Sequence, residues 1–222
     1  MAVSVRSRLE TVAWIGLGSM IAYFFLRDVP PYATYTPDSF GIYWPIRAYL
    51  IPHVVGAGLA ILVGMIQFST RVRQRWPAIH RISGRVYVTA CVIGAPAAVL
   101  LAVNSECTTC KPALGSLAIY WFATTLTAFY FALHRSFATH RAFMIRSYVA
   151  MNVFVVVRIG YWIAGTRTED MSVRTMVEFV TVFSPLLAVE AYLAWSADLR
   201  SGNAIVRKRK VRQAEAAAID AS

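Results

Sequence analysis

Six long apolar stretches follow one another along the chain, separated by short polar connections. They cover roughly residues 9–26, 48–68, 85–103, 113–133, 142–164 and 172–195. Each is close to the ~20 residues that a helix needs to cross the ~30 Å hydrocarbon core of a bilayer. Because unpaired backbone groups are costly in lipid, these stretches are predicted to be helices rather than open strands. The pattern therefore predicts an all-α, polytopic membrane helix bundle with about six transmembrane helices.

The composition agrees with this prediction. Of the 222 residues, 58% are hydrophobic and only 15% are charged, whereas a soluble domain carries about 25% charged residues. Residues 1–200 are interpreted as one transmembrane domain and residues 201–222 as a basic cytoplasmic tail. The first stretch is long for the core of a signal peptide, and no clear small-x-small cleavage site follows it. It is therefore predicted to be a retained helix.

The positive charge indicates how the bundle is oriented. A net charge of +11 would indicate nucleic acid in a soluble protein, but the cytoplasmic loops of a membrane bundle explain it and no nucleic-acid partner is expected. With the N-terminus inside, the cytoplasmic segments hold 14 Lys or Arg residues and the outer segments hold 4. This bias predicts an inner-membrane protein with both termini in the cytoplasm and a tail that lies near anionic membrane lipids.

Two segments carry packing and interface patterns. Residues 27–45 read RDVPPYATYTPDSFGIYWP, and their aromatic residues are interpreted either as an anchor at the headgroup level or as a lid over an outward-facing cavity. Gly56, Ala60 and Gly64 recur every four residues in the second stretch. Small residues at this spacing let a neighbouring helix approach closely, so they predict a packing face.

The cysteines indicate structure more than chemistry. Cys107 and Cys110 lie in a predicted outer connection, and because the outside is oxidising we expect a local disulfide. A pair that stays reduced and a reversible redox pair are the alternatives. Three cysteines are too few for a disulfide framework, and no metal-finger spacing is present, so no metal site is predicted.

Histidine and arginine residues gather at the predicted cytoplasmic face. The pairs His80–Arg81 and His140–Arg141 are expected in the turns before the third and fifth stretches. Arg85-Val86-Tyr87-Val88 follows the first pair, and Arg146-Ser147-Tyr148-Val149 follows the second. One residue of gap aligns the two segments, which is a weak indication of parallel internal repeats.

This layer has two interpretations. Imidazole is a common haem ligand, so His80 and His140, with His134 as a substitute, would hold one b-type haem or a quinone. The arginines Arg81, Arg85, Arg141 and Arg146 would bind propionates, lipid phosphates or a quinol oxygen. The alternative is that the histidines lie at the headgroup boundary and the arginines extend to lipid phosphates.

A second polar group lies nearer the predicted outer face. His53, Arg158 and Glu178 fall at membrane depth, where ionisable residues are costly. They are interpreted as a proton or substrate site of a small-molecule or lipid transporter, or as a satisfied polar cluster. A non-catalytic accessory subunit is a further alternative, with a homo-oligomer or a membrane complex as its setting.

The order of these residues resembles an uncharacterised bacterial integral membrane family, domain of unknown function 2306. The likeness covers roughly residues 48–195 and rests on His53, Gly56, Gly64, Gln67, HRISGRVY at 80–87, HRAFMIRSYVA at 140–150 and Arg158. The elements HRxxGRxY and HRxxMxRS are fairly specific when they occur together. The resemblance implies a multi-helix inner-membrane protein with these motifs as its signature, and it implies no established reaction.

A more distant likeness is to the transmembrane b-type cytochromes that are reduced by ascorbate. His53 near the start of a helix and His80 after a basic turn are similar to their layout. Those proteins have paired histidines at both faces, whereas here His53 has no outer partner. A two-haem pathway across the membrane is therefore not expected.

Overall fold

The computed structural model describes the backbone of residues 5–165 and 169–220. Side chains are described for residues 11–165 except residue 13, for 169–199 and for 201. The predicted basic residues Arg6, Arg8, Arg167 and Arg200 and those of the tail beyond 201 therefore lie outside the described side chains. Within these limits the chain is helical, with no strand in the described part.

Eight α-helices follow one another in residues 5–165 and 169–220. Their bounds are α1 Val5–Arg27, α2 Pro37–Phe40, α3 Arg47–Phe68, α4 Thr70–Arg75, α5 Pro77–Val103, α6 Lys111–Leu133, α7 Phe137–Ala164 and α8 Met171–Asp220. Short 3-10 turns at Pro30–Thr34, Gly41–Ile46 and Thr108–Cys110 complete the connections. The all-α membrane bundle predicted from the apolar pattern is confirmed.

Five segments of the described chain are long and apolar enough to cross a membrane: Pro37–Phe68, Pro77–Val103, Thr108–Leu133, Phe137–Ala164 and Met171–Leu199. They correspond to the second through sixth predicted stretches. The first stretch forms α1, but the side chains that open this helix lie outside the described part of the chain. The crossing by residues 9–26 stays a prediction.

The long helices begin before the apolar stretches do. The third stretch was expected from residue 85, but α5 begins at Pro77, where proline at the first helical position favours a helix start. α7 likewise begins at Phe137 rather than near residue 142. The pairs His80–Arg81 and His140–Arg141 therefore lie inside helices, and their expected position in turns is wrong. Hydropathy marks the lipid-soluble part of a helix, whereas the hydrogen-bonded helix continues into the polar interface.

The core of the bundle forms where α3 packs against α5. A Cβ on Gly56 would lie 2.7 Å from the carbonyl oxygen of Ala90 and 3.0 Å from the Cα of Gly94. Only glycine lets the two backbones approach this closely. The small-residue spacing predicted to be a packing face is confirmed.

The two ends of the bundle differ in character. One end, here called the aromatic end, carries residues 30–46, 104–110, 165 and 169–170. The other, called the basic end, carries residues 69–76 and 134–136. At the aromatic end a disulfide joins Cys107 to Cys110, whose Cα atoms are 5.2 Å apart. This is the local bridge expected from the spacing of the two cysteines. Cys91 is free and buried.

Candidate functional site

A cavity of about 160 Å³ lies in the half of the bundle nearest the aromatic end. Several helices line it, together with two tyrosines of the 30–46 segment. The polar side chains in its wall are Asp28, Tyr32, Tyr43, His53, Ser105 and Arg158. Most of the remaining wall is aliphatic or aromatic and includes Phe25, Trp121 and Phe154. Apolar walls with a few polar groups are typical of small-molecule sites. We call this space the Arg158 cavity.

His53 contributes a hydrogen-bond acceptor to this wall. Its Nδ1 atom lies 3.2 Å from the carbonyl oxygen of Gly94 on α5. Because a carbonyl oxygen only accepts, Nδ1 carries the hydrogen of this bond, and Nε2 of a neutral ring is then an acceptor. The ring meets Phe154 edge-on, with the ring centroids 6.0 Å apart. The helix contact therefore determines both the tautomer and the orientation of His53.

Arg158 contributes the positive charge. Its guanidinium carbon lies 5.0 Å from the centroid of the same Phe154 ring, which is a cation–π contact. Its Nε atom is buried and has no hydrogen-bond partner among the described residues. A buried N–H of a charged group without an acceptor is costly. Phe154 thus contacts the two predicted polar residues, and one of them retains an unpaired donor.

Tyr32 lies beside Arg158 in the cavity wall. Burial raises the pKa of the Tyr32 phenol above its ordinary value, and the Arg158 guanidinium partly offsets this effect. The phenol is therefore neutral at physiological pH and keeps its O–H donor.

The aromatic segment that contains Tyr32 packs upon itself through edge-on ring contacts. The Phe40 centroid lies 5.3 Å from that of Tyr32 and 5.7 Å from that of Trp44. Because Tyr32 and Tyr43 form part of the cavity wall, the geometry favours the interpretation of this segment as a lid over the interpretation as an anchor alone.

Glu178 lies next to the cavity rather than in its wall. It is 6% exposed, and one carboxylate oxygen accepts a hydrogen bond from the Tyr161 hydroxyl. The other oxygen, Oε2, is buried without a hydrogen-bond partner among the described residues. Arg158 and Arg174 act on it electrostatically, but neither forms an ion pair with it within the described chain. Of the three residues predicted as one site, His53 and Arg158 share the cavity, and Glu178 lies beside it.

A neighbouring cavity of about 270 Å³ connects this region to the end of α7. It shares Phe24, Asp28 and Arg158 with the Arg158 cavity and continues to Trp162 and Gly165. Arg158 therefore lines both spaces.

At the basic end, the structure brings His80 and His140 into the same region. His140 and Arg73 act on His80 electrostatically, and Nδ1 of His80 is buried without a partner among the described residues. Nδ1 of His140 lies 2.8 Å from the carbonyl oxygen of Ala128. Gln67, which is buried at the end of α3, donates from Nε2 to the carbonyl oxygen of His80 at 3.1 Å and so links α3 to α5.

Two other predicted residues of this layer have partners of their own. Nδ1 of His134 lies 2.9 Å from the carbonyl oxygen of Tyr130, and its exposed ring stacks on the Tyr130 ring. Arg146 donates two hydrogen bonds of 2.7 Å to the carboxylate of Glu190 on α8. The structure therefore does not bring His134 and Arg146 into one group with His80 and His140.

The remaining predicted arginines are exposed. These are Arg81, Arg85 and Arg141, and none forms a hydrogen bond or an ion pair within the described part of the chain. Arg85 lines an apolar groove between α3 and α5.

Sequence reasoning missed a buried polar network at the middle of the bundle. The Tyr87 hydroxyl lies 2.8 Å from Oγ of Ser147, which lies 2.6 Å from the hydroxyl of Thr125. Tyr87 and Ser147 belong to the two aligned motifs, so the signal was present. The two motifs were interpreted through their histidines and arginines. In the structure, Tyr87 of the first motif and Ser147 of the second connect α5 to α7.

Comparison with known proteins agrees with the bundle. The family model described as "Predicted membrane protein (DUF2306)" matches residues 50–195. This range begins near the start of α3 and ends within α8, so it contains His53, both histidine–arginine motifs and Arg158. No curated protein and no solved structure matches the chain.

Proposed function

The chain belongs to the DUF2306 family of predicted membrane proteins, and from that premise we propose that it binds a small amphipathic organic anion in the Arg158 cavity. The proposed protein is a membrane-embedded binding protein or transporter of the inner membrane. Its termini lie in the cytoplasm and the aromatic end faces outward. The observation on which the proposal rests is the buried Nε donor of Arg158, which has no hydrogen-bond partner among the described residues and lies at a mostly apolar cavity.

The charge of the ligand follows from the groups in the wall. Arginine is always protonated and presents donors in a planar fork that matches a carboxylate. An acidic ligand group would accept from the Nε donor that has no acceptor among the described residues. Tyr32 offers a further donor beside the guanidinium, and the carboxyl group of Asp28 in the same wall disfavours a second negative charge on the ligand.

The size of the ligand follows from the volume of the Arg158 cavity. An apolar cavity of about 150 Å³ holds one benzene molecule, and the Arg158 cavity measures about 160 Å³. Phe25, Trp121 and Phe154 provide flat apolar surfaces for such a ring. A monocarboxylate with one ring, or with an apolar body of similar size, therefore fits best.

Binding of benzoate to the purified protein in mild detergent tests this proposal. We expect saturable binding at one site per chain by isothermal titration calorimetry. Benzamide, which has the same ring without the charge, should bind at least tenfold more weakly. Arg158→Gln should also weaken benzoate binding at least tenfold, since a hydrogen bond to a charged group contributes about 1.5–3 kcal/mol.

The matched control removes a cation from the same end of the bundle. Lys111 begins α6 and does not line the cavity, so Lys111→Gln should bind benzoate as the wild type does. Equal affinity for benzoate and benzamide, or unchanged binding in Arg158→Gln, would contradict the proposed anion site.

A second candidate function is a redox site at the basic end. Its support is the buried unpaired Nδ1 of His80, which lies in electrostatic range of His140. A histidine that ligates a metal usually has its other ring nitrogen hydrogen-bonded to a carbonyl or carboxylate oxygen. Nδ1 of His140 forms such a hydrogen bond with the carbonyl oxygen of Ala128. His80 and His140 would hold a b-type haem. The haem would supply one-electron transfer.

The visible spectrum of the purified protein tests this second candidate. A Soret band that is lost in His140→Ala but kept in His134→Ala would support the haem site. His134 serves as the control because its Nδ1 atom contacts the carbonyl oxygen of Tyr130, which precedes it on α6. A colourless preparation whose solvent extract contains no quinone would exclude both proposed redox groups.

A further inference from the structure

A groove of about 390 Å³ runs along the outside of the bundle between α3 and α5. Its floor is the close contact of Gly56 with Ala90, where the backbones of α3 and α5 meet without a side chain between them. Val55 and Leu59 form one wall, and Ile82 and Ile93 belong to the other. These side chains are exposed, Val55 to 62% and Ile82 to 61%. In a membrane the groove therefore faces the lipid.

The length of the groove matches one leaflet. On α5 the lining residues extend from Ile82 to Ile93, which spans about 16 Å at 1.5 Å per residue. Half of a hydrocarbon core of ~30 Å is about 15 Å. One extended acyl chain from the leaflet at the basic end would therefore fill the groove from its Arg85 end to the bilayer centre.

Charge is confined to one end of the groove. Arg85 is the charged residue in its lining, and Arg81 precedes it by one helical turn on the same face of α5. Neither arginine has a hydrogen bond or an ion pair within the described chain. Long arginine side chains reach the headgroup level while their apolar stems stay in lipid. Two unpaired guanidinium groups are therefore available where a lipid phosphate lies.

We propose that this groove is a binding site for one anionic phospholipid of the leaflet at the basic end. One acyl chain lies between Val55, Leu59, Ile82 and Ile93, and the phosphate is bound by Arg81 and Arg85. Charge complementarity and the match in length favour this occupant over a second copy of the chain. The site is separate from the Arg158 cavity, so failure of either proposal leaves the other standing.

Native mass spectrometry of the protein with added dioleoylphosphatidylglycerol tests the site. We expect one phosphatidylglycerol to stay bound per chain, with at least tenfold less retention of phosphatidylcholine. The double variant Arg81→Gln/Arg85→Gln should retain at least tenfold less phosphatidylglycerol than the wild type. Thr89→Trp fills the groove from the α5 side. This variant should also fail to retain phosphatidylglycerol, although both arginines are still present. Millimolar inorganic phosphate should not displace the lipid, since the acyl chain contributes to binding.

Two controls separate this site from general effects. Arg71→Gln removes an exposed charge from the same end, and Ile119→Trp adds a ring to a lipid-facing position on α6; both should retain the lipid. If Thr89→Trp does not fold, Val55→Trp fills the groove from the opposite wall. Unchanged retention in the double arginine variant, equal loss in Arg71→Gln, or displacement by inorganic phosphate would overturn the proposal.

Discussion

Single residues at the middle of the bundle decide how closely its helices approach. Gly64 on α3 lies under the ring of Tyr148, whose hydroxyl donates to the carbonyl oxygen of Ile61 at 3.2 Å. A Cβ on Gly64 would overlap that ring, with Cδ2 only 2.6 Å away, and would lie 3.3 Å from the Tyr87 ring. Both tyrosines come from the two aligned motifs. One glycine therefore determines where both motif tyrosines pack.

We predict that Gly64→Ala destabilises the protein by about 1–3 kcal/mol, the usual range for adding a group to a well-packed core. The matched control is Gly115→Ala on α6, where a Cβ would meet nothing within 4 Å. That change should be neutral or slightly stabilising, because alanine favours helix more than glycine does. Melting temperatures in the same detergent measure both. Equal melting temperatures of the two variants would contradict the close contact.

Pairs of helices are joined by polar contacts as well as by apolar packing. Arg146 on α7 holds both carboxylate oxygens of Glu190 on α8, and the Tyr120 hydroxyl of α6 donates to the same carboxylate at 2.9 Å. Nearer the other end of this helix pair, a Cβ on Gly160 would lie 2.8 Å from Cγ2 of Thr181. α8 is therefore held against α7 by an ion pair near the basic end and by close packing near the aromatic end.

We predict that Arg146→Gln and Glu190→Gln each lower the melting temperature, because each leaves the opposite charge without its partner. The double variant should recover part of the loss, since no unpaired charge remains. A double-mutant cycle should give a coupling energy of about 1 kcal/mol, within the range for residues in direct contact. Arg141→Gln, which removes an exposed charge on the same helix, is the control. Additive effects of the two single changes would contradict the contact.

The whole molecule is asymmetric from end to end. The disulfide, the aromatic segment and the mouth of the Arg158 cavity gather at one end, and the arginines of residues 69–76 gather at the other. Disulfides persist on the oxidising side of a membrane, and arginine-rich connections stay in the cytoplasm. The two physical rules give the same proposed orientation independently.

We predict that a membrane-impermeant maleimide labels intact spheroplasts only after treatment with a reductant. The label should be on Cys107 and Cys110, which are joined by a disulfide at the aromatic end. Cys107 and Cys110 are buried as well, but they lie at the connection after α5, whereas Cys91 lies within the apolar segment Pro77–Val103 and should stay unlabelled. Cys91→Ser should therefore label as the wild type does. Mass spectrometry of the labelled peptides is the measurement. Labelling that requires opened membranes would mean that the aromatic end faces the cytoplasm.

Properties that depend on neighbouring positions in the chain were largely predictable. Length and hydropathy predicted the all-α bundle because the cost of backbone polar groups in lipid leaves no other structure for such stretches. The spacing of Gly56, Ala60 and Gly64 predicted a packing face, and the structure identifies α5 as its partner. Helix starts were less predictable, because α5 and α7 extend beyond the apolar stretches into the polar interface.

The sequence by itself determined that the chain is a membrane bundle and which of its stretches form the long apolar helices α3, α5, α6, α7 and α8. These features depend on composition and on spacing along one helix. Only the tertiary structure decided that Arg146 pairs with Glu190 and that Arg158 shares a cavity with His53. The members of each pair lie on different helices, so the packing of side chains in three dimensions decides which of them come together.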